Sequence, residues 1–151
     1  MDETRVVVSR DVDASPHTIF GLLADPRRHA EIDGSGMVRA DDGGEPITAV
    51  GQVFRMHVHR EPRGDYLTDN LVTRFEPDAV VAWRTGLPDT TPPGWEWRWE
   101  VAPTASGSRV SLTYDWSDVH DPEVHRRVGG FPSVPVEALE STLDRLAAAV
   151  T

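Results

Sequence analysis

The end of the chain constrains it most. Between residues 133 and 150, apolar side chains fall at Val136, Leu139, Leu143, Leu146 and Val150. Steps of three and four place them in one stripe along a helix. Glu137, Glu140, Ser141, Asp144 and Arg145 occupy the other side. Pro135 suits the first helical turn, where its missing N–H is no loss. A helix over 135–150 would be about 24 Å long. Upstream lie strand-like runs and only short helical ones, so the stripe has to be buried against their sheet. The pattern predicts an α+β protein in which a curved antiparallel sheet of about seven strands wraps around a long C-terminal helix. One domain is expected over residues 1–151.

Residues 4–12 are valine-rich and alternate, Val6 and Val8 against Val7 and Ser9, as a strand does. Ser15 and Pro16 then read as a helix start, the serine as N-cap and the proline in the first turn. Ile19, Phe20, Leu22 and Leu23 give this short helix an apolar face, and Asp25-Pro26 ends it. A second short helix is predicted over 26–32, followed by a turn at 33–36. Further strands are expected at 37–40, 51–60, 65–75, 80–85, 95–102 and 109–116. The last two alternate strictly. Trp95, Trp97, Trp99 and Val101 oppose Glu96, Arg98 and Glu100; Val110, Leu112, Tyr114 and Trp116 oppose Arg109, Ser111, Thr113 and Asp115. Such alternation gives the sheet one dry and one wet face. Residues 86–94 form a proline-rich loop. Residues 117–132 are a polar connection with a helical turn around 123–127 and a flexible pair, Gly129-Gly130.

Composition excludes several kinds of chemistry. Cysteine is absent, so there is no disulfide, thiolate nucleophile or cysteine-rich metal site. All fifteen cationic side chains are arginine, and without lysine neither a Schiff base nor a Walker-type phosphate loop can be built. A net charge of −10 argues against nucleic acid or an anionic membrane as partner. The acidic start at Asp2 and Glu3 does not read as a signal peptide, and no apolar run reaches the roughly 20 residues of a membrane span. A cytoplasmic protein, monomer or homodimer, is expected.

Strand, two short helices, six strands and a long helix, together with three segments, resemble a known superfamily. The segments are SPHTIFGLLADPRRHAEIDGSG at 15–36, NLVTRFEPDAVVAWR at 70–84 and FPSVPVEALESTLDRLA at 131–147. The chain resembles the START-like, or Bet v 1-like, superfamily (SRPBCC), also called the polyketide cyclase/dehydrase and lipid transport superfamily. The resemblance covers nearly the whole chain and rests on fold signatures, none of them catalytic. It implies a helix-grip fold with a cavity between sheet and C-terminal helix. Members bind lipids, hormones, polyketides and other apolar molecules; some cyclise or aromatise polyketides, and others assist chaperones.

Given that fold, the ligand is expected to meet the inward faces of the strands. Phe54, Met56 and Val58 make one such face; Asn70 and Val72 share another. Trp83, Trp95, Trp97, Trp99, Tyr114 and Trp116 supply aromatic walls, with Leu139 and Leu143 opposite and Phe131 near the opening. Ligand sites are mostly apolar with a few placed polar groups. Plain core packing accounts for the same aromatics equally well. The mouth is expected near 86–94 and 129–132.

His57, His59 and Glu61 alternate along one strand and are metal-ligand types. The apolar side chains lie on the opposite face, so the histidines should face solvent and pair with neighbouring acids. No metal and no cofactor is therefore expected. His29, Glu31, Asp33 and Ser35 cluster in the helical insertion; capping and turn formation account for them, and Ser35 lacks the glycine flanks of a nucleophile elbow. Ile32 stands where the chaperone-activator branch commonly carries a tryptophan, which counts against a co-chaperone. The reading is a protein that binds a small hydrophobic or aromatic molecule. The alternatives are a polyketide cyclase or aromatase-type enzyme, whose acid–base group would be sought among Tyr114, Asn70 and Asp33, and a co-chaperone-like interaction module.

Overall fold

The computed structural model describes residues 3–151; the acidic start at Asp2 lies outside them. The elements are β1 (Arg5–Val12), α1 (Pro16–Leu23), a 3₁₀ turn (Pro26–Arg28), α2 (His29–Ile32), β2 (Val38–Asp41), β3 (Val53–Arg60), β4 (Gly64–Glu76), β5 (Val80–Gly86), β6 (Glu96–Pro103), β7 (Ser108–Asp115), α3 (Pro122–Val128) and α4 (Val136–Val150). The strands form one open, curved, seven-stranded sheet in the order β1-β7-β6-β5-β4-β3-β2. Every neighbouring pair is antiparallel. With α4 gripped by that sheet, this is the helix-grip architecture.

Local chemistry sets the element ends. Ser15 is extended and its Oγ accepts from the Thr18 amide at 3.2 Å, capping α1. Asp25 caps the 3₁₀ turn and Asp121 caps α3 in the same way, each followed by proline. Gly129 ends α3 in the left-handed conformation at φ 88°, and its N–H and that of Gly130 donate to the His125 carbonyl. The glycine pair is thus a helix stop. Pro135 is not in the first turn of α4 but precedes it, extended at ψ 154°.

The stripe of α4 is narrower at its ends than its periodicity predicts. Leu139, Leu143 and Leu146 are buried together with Thr142 and Ala147, whereas Val136 is exposed and Val150 only partly covered. Helix α4 packs on β1 and β7, and α1 and α2 pack against it in turn. Docking of the segment after α2 is close: the Gly34 amide donates to Thr142 Oγ1 at 2.8 Å. A Cβ on Gly34 would run into the Ala138 carbonyl and the Thr142 amide. α4 packs directly on β1 and β7, and room is left between it and β3–β6.

The outer face is wet and paired. Arg98 sits between Glu96 at 3.4 Å and Glu100 at 3.0 Å, and Arg55 holds Asp69 at 2.7 Å. His57 meets Asp42 at 3.1 Å; His59 meets Asp65 at 2.6 Å and Glu61 at 2.8 Å. Both histidines thus lie opposite Phe54, Met56 and Val58, which are buried. Among the described residues no cluster of histidines and carboxylates is arranged to hold a metal ion. No helix there is long and apolar enough to cross a membrane.

Candidate functional site

Strand pairing puts the aromatic side chains in rows. Trp83 on β5 lies opposite Trp97 on β6, which lies opposite Tyr114 on β7. Between this inner face and α4 lies a cavity of about 560 Å³, a volume ordinary for a small-molecule site. Its floor is Phe54, Met56 and Val58 from β3, Thr68 and Asn70 from β4, and Trp83 and Thr85 from β5. Trp95, Trp97, Trp99 and Leu112 line one side; Leu139 and Thr142 of α4 close the top. The helical insertion contributes His29, Ile32, Asp33 and Ser35.

Five of the residues expected to line the cavity do not. Val72, at 1% exposure, lies beside a β-bulge that interrupts pairing between Val72 and Arg74, and it is packed into the core. Leu143 is in the same core, one helical step beyond Leu139. Tyr114, Trp116 and Phe131 form a layer behind the wall. The Tyr114 ring stacks on Trp97, with centroids 4.1 Å apart and planes 7° from parallel. Trp116 stacks on Phe131 at 5.8 Å, and Phe131 touches Trp95 at 5.9 Å. These rings hold the lining tryptophans in place.

The three polar groups singled out from the sequence, Asn70, Tyr114 and Asp33, are already engaged. Asn70, 4% exposed, donates to the Phe54 carbonyl at 3.2 Å and accepts from Thr85 Oγ1 at 2.7 Å. The Tyr114 hydroxyl pairs with Ser133 Oγ at 2.6 Å, and burial pushes its pKa up. Asp33 accepts from the Ser35 amide and hydroxyl and from the Val38 amide, which is turn formation as its neighbours predict.

His29 was not read as part of a cavity, yet it is central to it. The imidazole is buried between Trp83, against which it stacks at 5.1 Å, and Phe54, whose ring meets it edge-on at 5.5 Å. Its Nε2 donates to the Leu23 carbonyl at 2.8 Å. Burial pushes its pKa below the usual histidine value, which keeps it neutral. The signal was its position three residues before Ile32, on one helical face.

Three segments ring the mouth: the expected 86–94 is among them, whereas none of residues 129–132 lines the cavity and the residues on either side of that stretch do so instead. Gly86, Leu87 and Pro93 lie on one side; Arg127, Val128, Ser133 and Val134 lie on another. The third is the β3–β4 hairpin, with Arg60, Glu61, Pro62, Arg63 and Tyr66. Arg60 Nη2 donates to the Val128 carbonyl at 2.9 Å, tying hairpin to α3.

A family model described as polyketide cyclase / dehydrase and lipid transport matches residues 3–151. The chain belongs to that family. The uncharacterized protein Rv0088 of Mycobacterium tuberculosis is 32% identical over 150 residues, taking in 94% of this chain and 62% of that protein. The chain thus spans less than two thirds of the length of the curated relatives it matches. Protein CV1439 from Chromobacterium violaceum has the same fold, with a TM-score of 0.67 at 18% identity over 97% of this chain and 96% of that one. The Polyketide_cyc-like protein Cgl2372 from Corynebacterium glutamicum gives 0.57 at 18% identity, over 99% and 85%. These solved structures share the fold of this chain.

Proposed function

We propose that this protein binds a small hydrophobic or aromatic molecule, polyketide- or lipid-like, in the cavity between its sheet and α4. The observation that supports this most is the wall itself. Trp95 and Trp97 are only half-buried although they belong to the inner face, and the space before them is about 560 Å³. A filled core would have no such space, because protein interiors pack to crystal density. The lining residues we assign to the ligand are Phe54, Met56, Val58, Asn70, Trp83, Trp95, Trp97, Trp99 and Leu139. The net charge of −10 supports a small molecule over nucleic acid as partner, and we place the protein in the cytoplasm as a monomer or homodimer.

Native mass spectrometry of the purified protein tests this reading. A co-purified small apolar molecule, or saturable uptake of an added one, is the expected result. A protein that takes up none, with tryptophan fluorescence unmoved by any apolar compound, would reduce the cavity to a packing feature.

One observation favours a second reading, a cyclase or aromatase-type enzyme. His29 is neutral, and with Nε2 committed to Leu23 its Nδ1 has no hydrogen-bond partner among the described residues. An imidazole with a free lone pair beside a bound substrate is the equipment of a general base. Recovery of the added ligand with altered structure separates enzyme from carrier.

A further inference from the structure

The charged groups lining the cavity are unevenly engaged. They are Asp33, Arg60, Glu61, Arg63 and Arg127, with neutral His29 at the inner end. Both carboxylates are occupied: Asp33 by Ser35 and Val38, Glu61 by His59 at 2.8 Å. The arginines are not. Arg60 reaches a backbone carbonyl, the Arg63 guanidinium lies 4.2 Å from the Tyr66 ring centroid, and no ion pair engages any of the three among the described residues. Elsewhere most arginines are paired with acids, as Arg10 with Asp144, Arg84 with Asp118 and Arg109 with Asp11, while Arg39 and Arg145 each reach a single backbone carbonyl. In a chain with 25 acidic side chains against 15 basic ones, three arginines without a carboxylate partner line one cavity.

They come from two segments, the β3–β4 hairpin and the end of α3, which Arg60 ties together across the mouth. Below them the walls are aromatic and aliphatic. We infer that the ligand is an anionic amphiphile whose single carboxylate or phosphate monoester head stays at the mouth, held by Arg60, Arg63 and Arg127, while its apolar body lies against the tryptophans. This rests on the ligand-binding reading above. A guanidinium offers five N–H donors in a planar fork that matches both head groups. The inner end supplies no cation, because His29 is neutral there, so the head has one place to go.

The experiment titrates the full chain at low salt with dodecanoate, dodecyl phosphate and dodecanol, reading tryptophan fluorescence. The tails are identical, so differences report the head group alone. A charge-assisted contact of about 1.5–3 kcal/mol corresponds to at least about tenfold in affinity. Dodecanoate or dodecyl phosphate should therefore bind about tenfold or more tighter than dodecanol, and the stronger of the two names the head group. An Arg63→Gln/Arg127→Gln double variant should lose most of that preference while its affinity for dodecanol and its melting temperature stay the same. Both side chains are exposed, so the fold does not depend on them. High salt should shrink the preference in the parent. Equal binding of acid, phosphate and alcohol overturns the anionic head group and leaves the apolar cavity standing. Binding of none of the three overturns both. A preference that survives in the double variant also overturns the assignment to these arginines.

Discussion

The imidazole of His29 lies flat on the indole of Trp83, ring centroids 5.1 Å apart and planes inclined by 17°. Because this ring is buried, folding holds its pKa below the unfolded value near 6.5. The folded protein therefore refuses a proton that the unfolded chain takes up once pH falls below about 6.5. The contribution of His29 is complete above that pH and is lost below it, at up to about 1.4 kcal/mol per pH unit. Asp25 and Asp69 are held low by Arg27 and Arg55, so their contributions fade only in more acid solution, near and below pH 4. Melting temperature should fall between pH 7 and 5 in the parent and fall less in His29→Gln. Parallel profiles would show that the imidazole is not shielded.

His59 should behave in the opposite sense. Asp65 and then Glu61 hold its imidazolium above the ordinary value. Its small contribution is complete below about pH 6.5 and is lost as pH rises through the folded value. NMR titration of His59 should give a raised midpoint that drops in Asp65→Asn. A His57→Ala/His59→Ala variant should keep its melting temperature within a few degrees and its ligand binding, since both rings lie on the outer face. Stoichiometric zinc or iron in the parent, lost in the variant, would contradict that arrangement.

Leu143 tests the grip of α4. It is 2% exposed within the core, and Leu143→Asp places a carboxylate there with no partner. The cost should be several kcal/mol, a large part of the about 5–15 kcal/mol that holds a domain folded. Glu140→Ala, on the exposed side, should change little. Denaturant unfolding of the two variants measures the contrast, and a Leu143→Asp protein as stable as the parent would refute the buried stripe.

Trp97 separates wall from core. Its ring is half-buried, lines the cavity and is backed by Tyr114 at 4.1 Å. Trp97→Ala should enlarge the cavity, shift ligand affinity or preference, and cost less than the about 3–5 kcal/mol of a fully packed aromatic. Calorimetry and ligand titration on the same sample check both parts. A severe loss of stability with no change in binding would make Trp97 a packing residue.

Amide exchange should locate the mouth. With an apolar ligand bound, protection is expected to rise at 60–66, 86–93 and 127–134, the three segments around the opening. Arg60→Ala, which frees the hairpin from the Val128 carbonyl, should speed exchange in the first and third. Protection confined to other segments would move the entrance.

What the sequence determined by itself was everything that repeats along one element. Alternation in 95–102 and 109–116 put the tryptophans inside and Glu96 and Arg98 outside; Ser15 and Pro16 marked the start of α1; period 3.6 marked α4. These signals are local, because a side chain's face follows from its place in a strand or helix. Only the tertiary structure decided which inward residues line the cavity and which stand behind them. Trp97 and Tyr114 carry the same inward signal, yet pairing places one at the wall and the other in the supporting layer. Val72 alternates like Asn70, but it is packed into the core and does not line the cavity. His29, Arg60 and Arg127 lie far apart in sequence and line one cavity only in the folded chain. The gap between α4 and the rest of the sheet is set by long-range contacts, and no periodicity encodes a distance between elements.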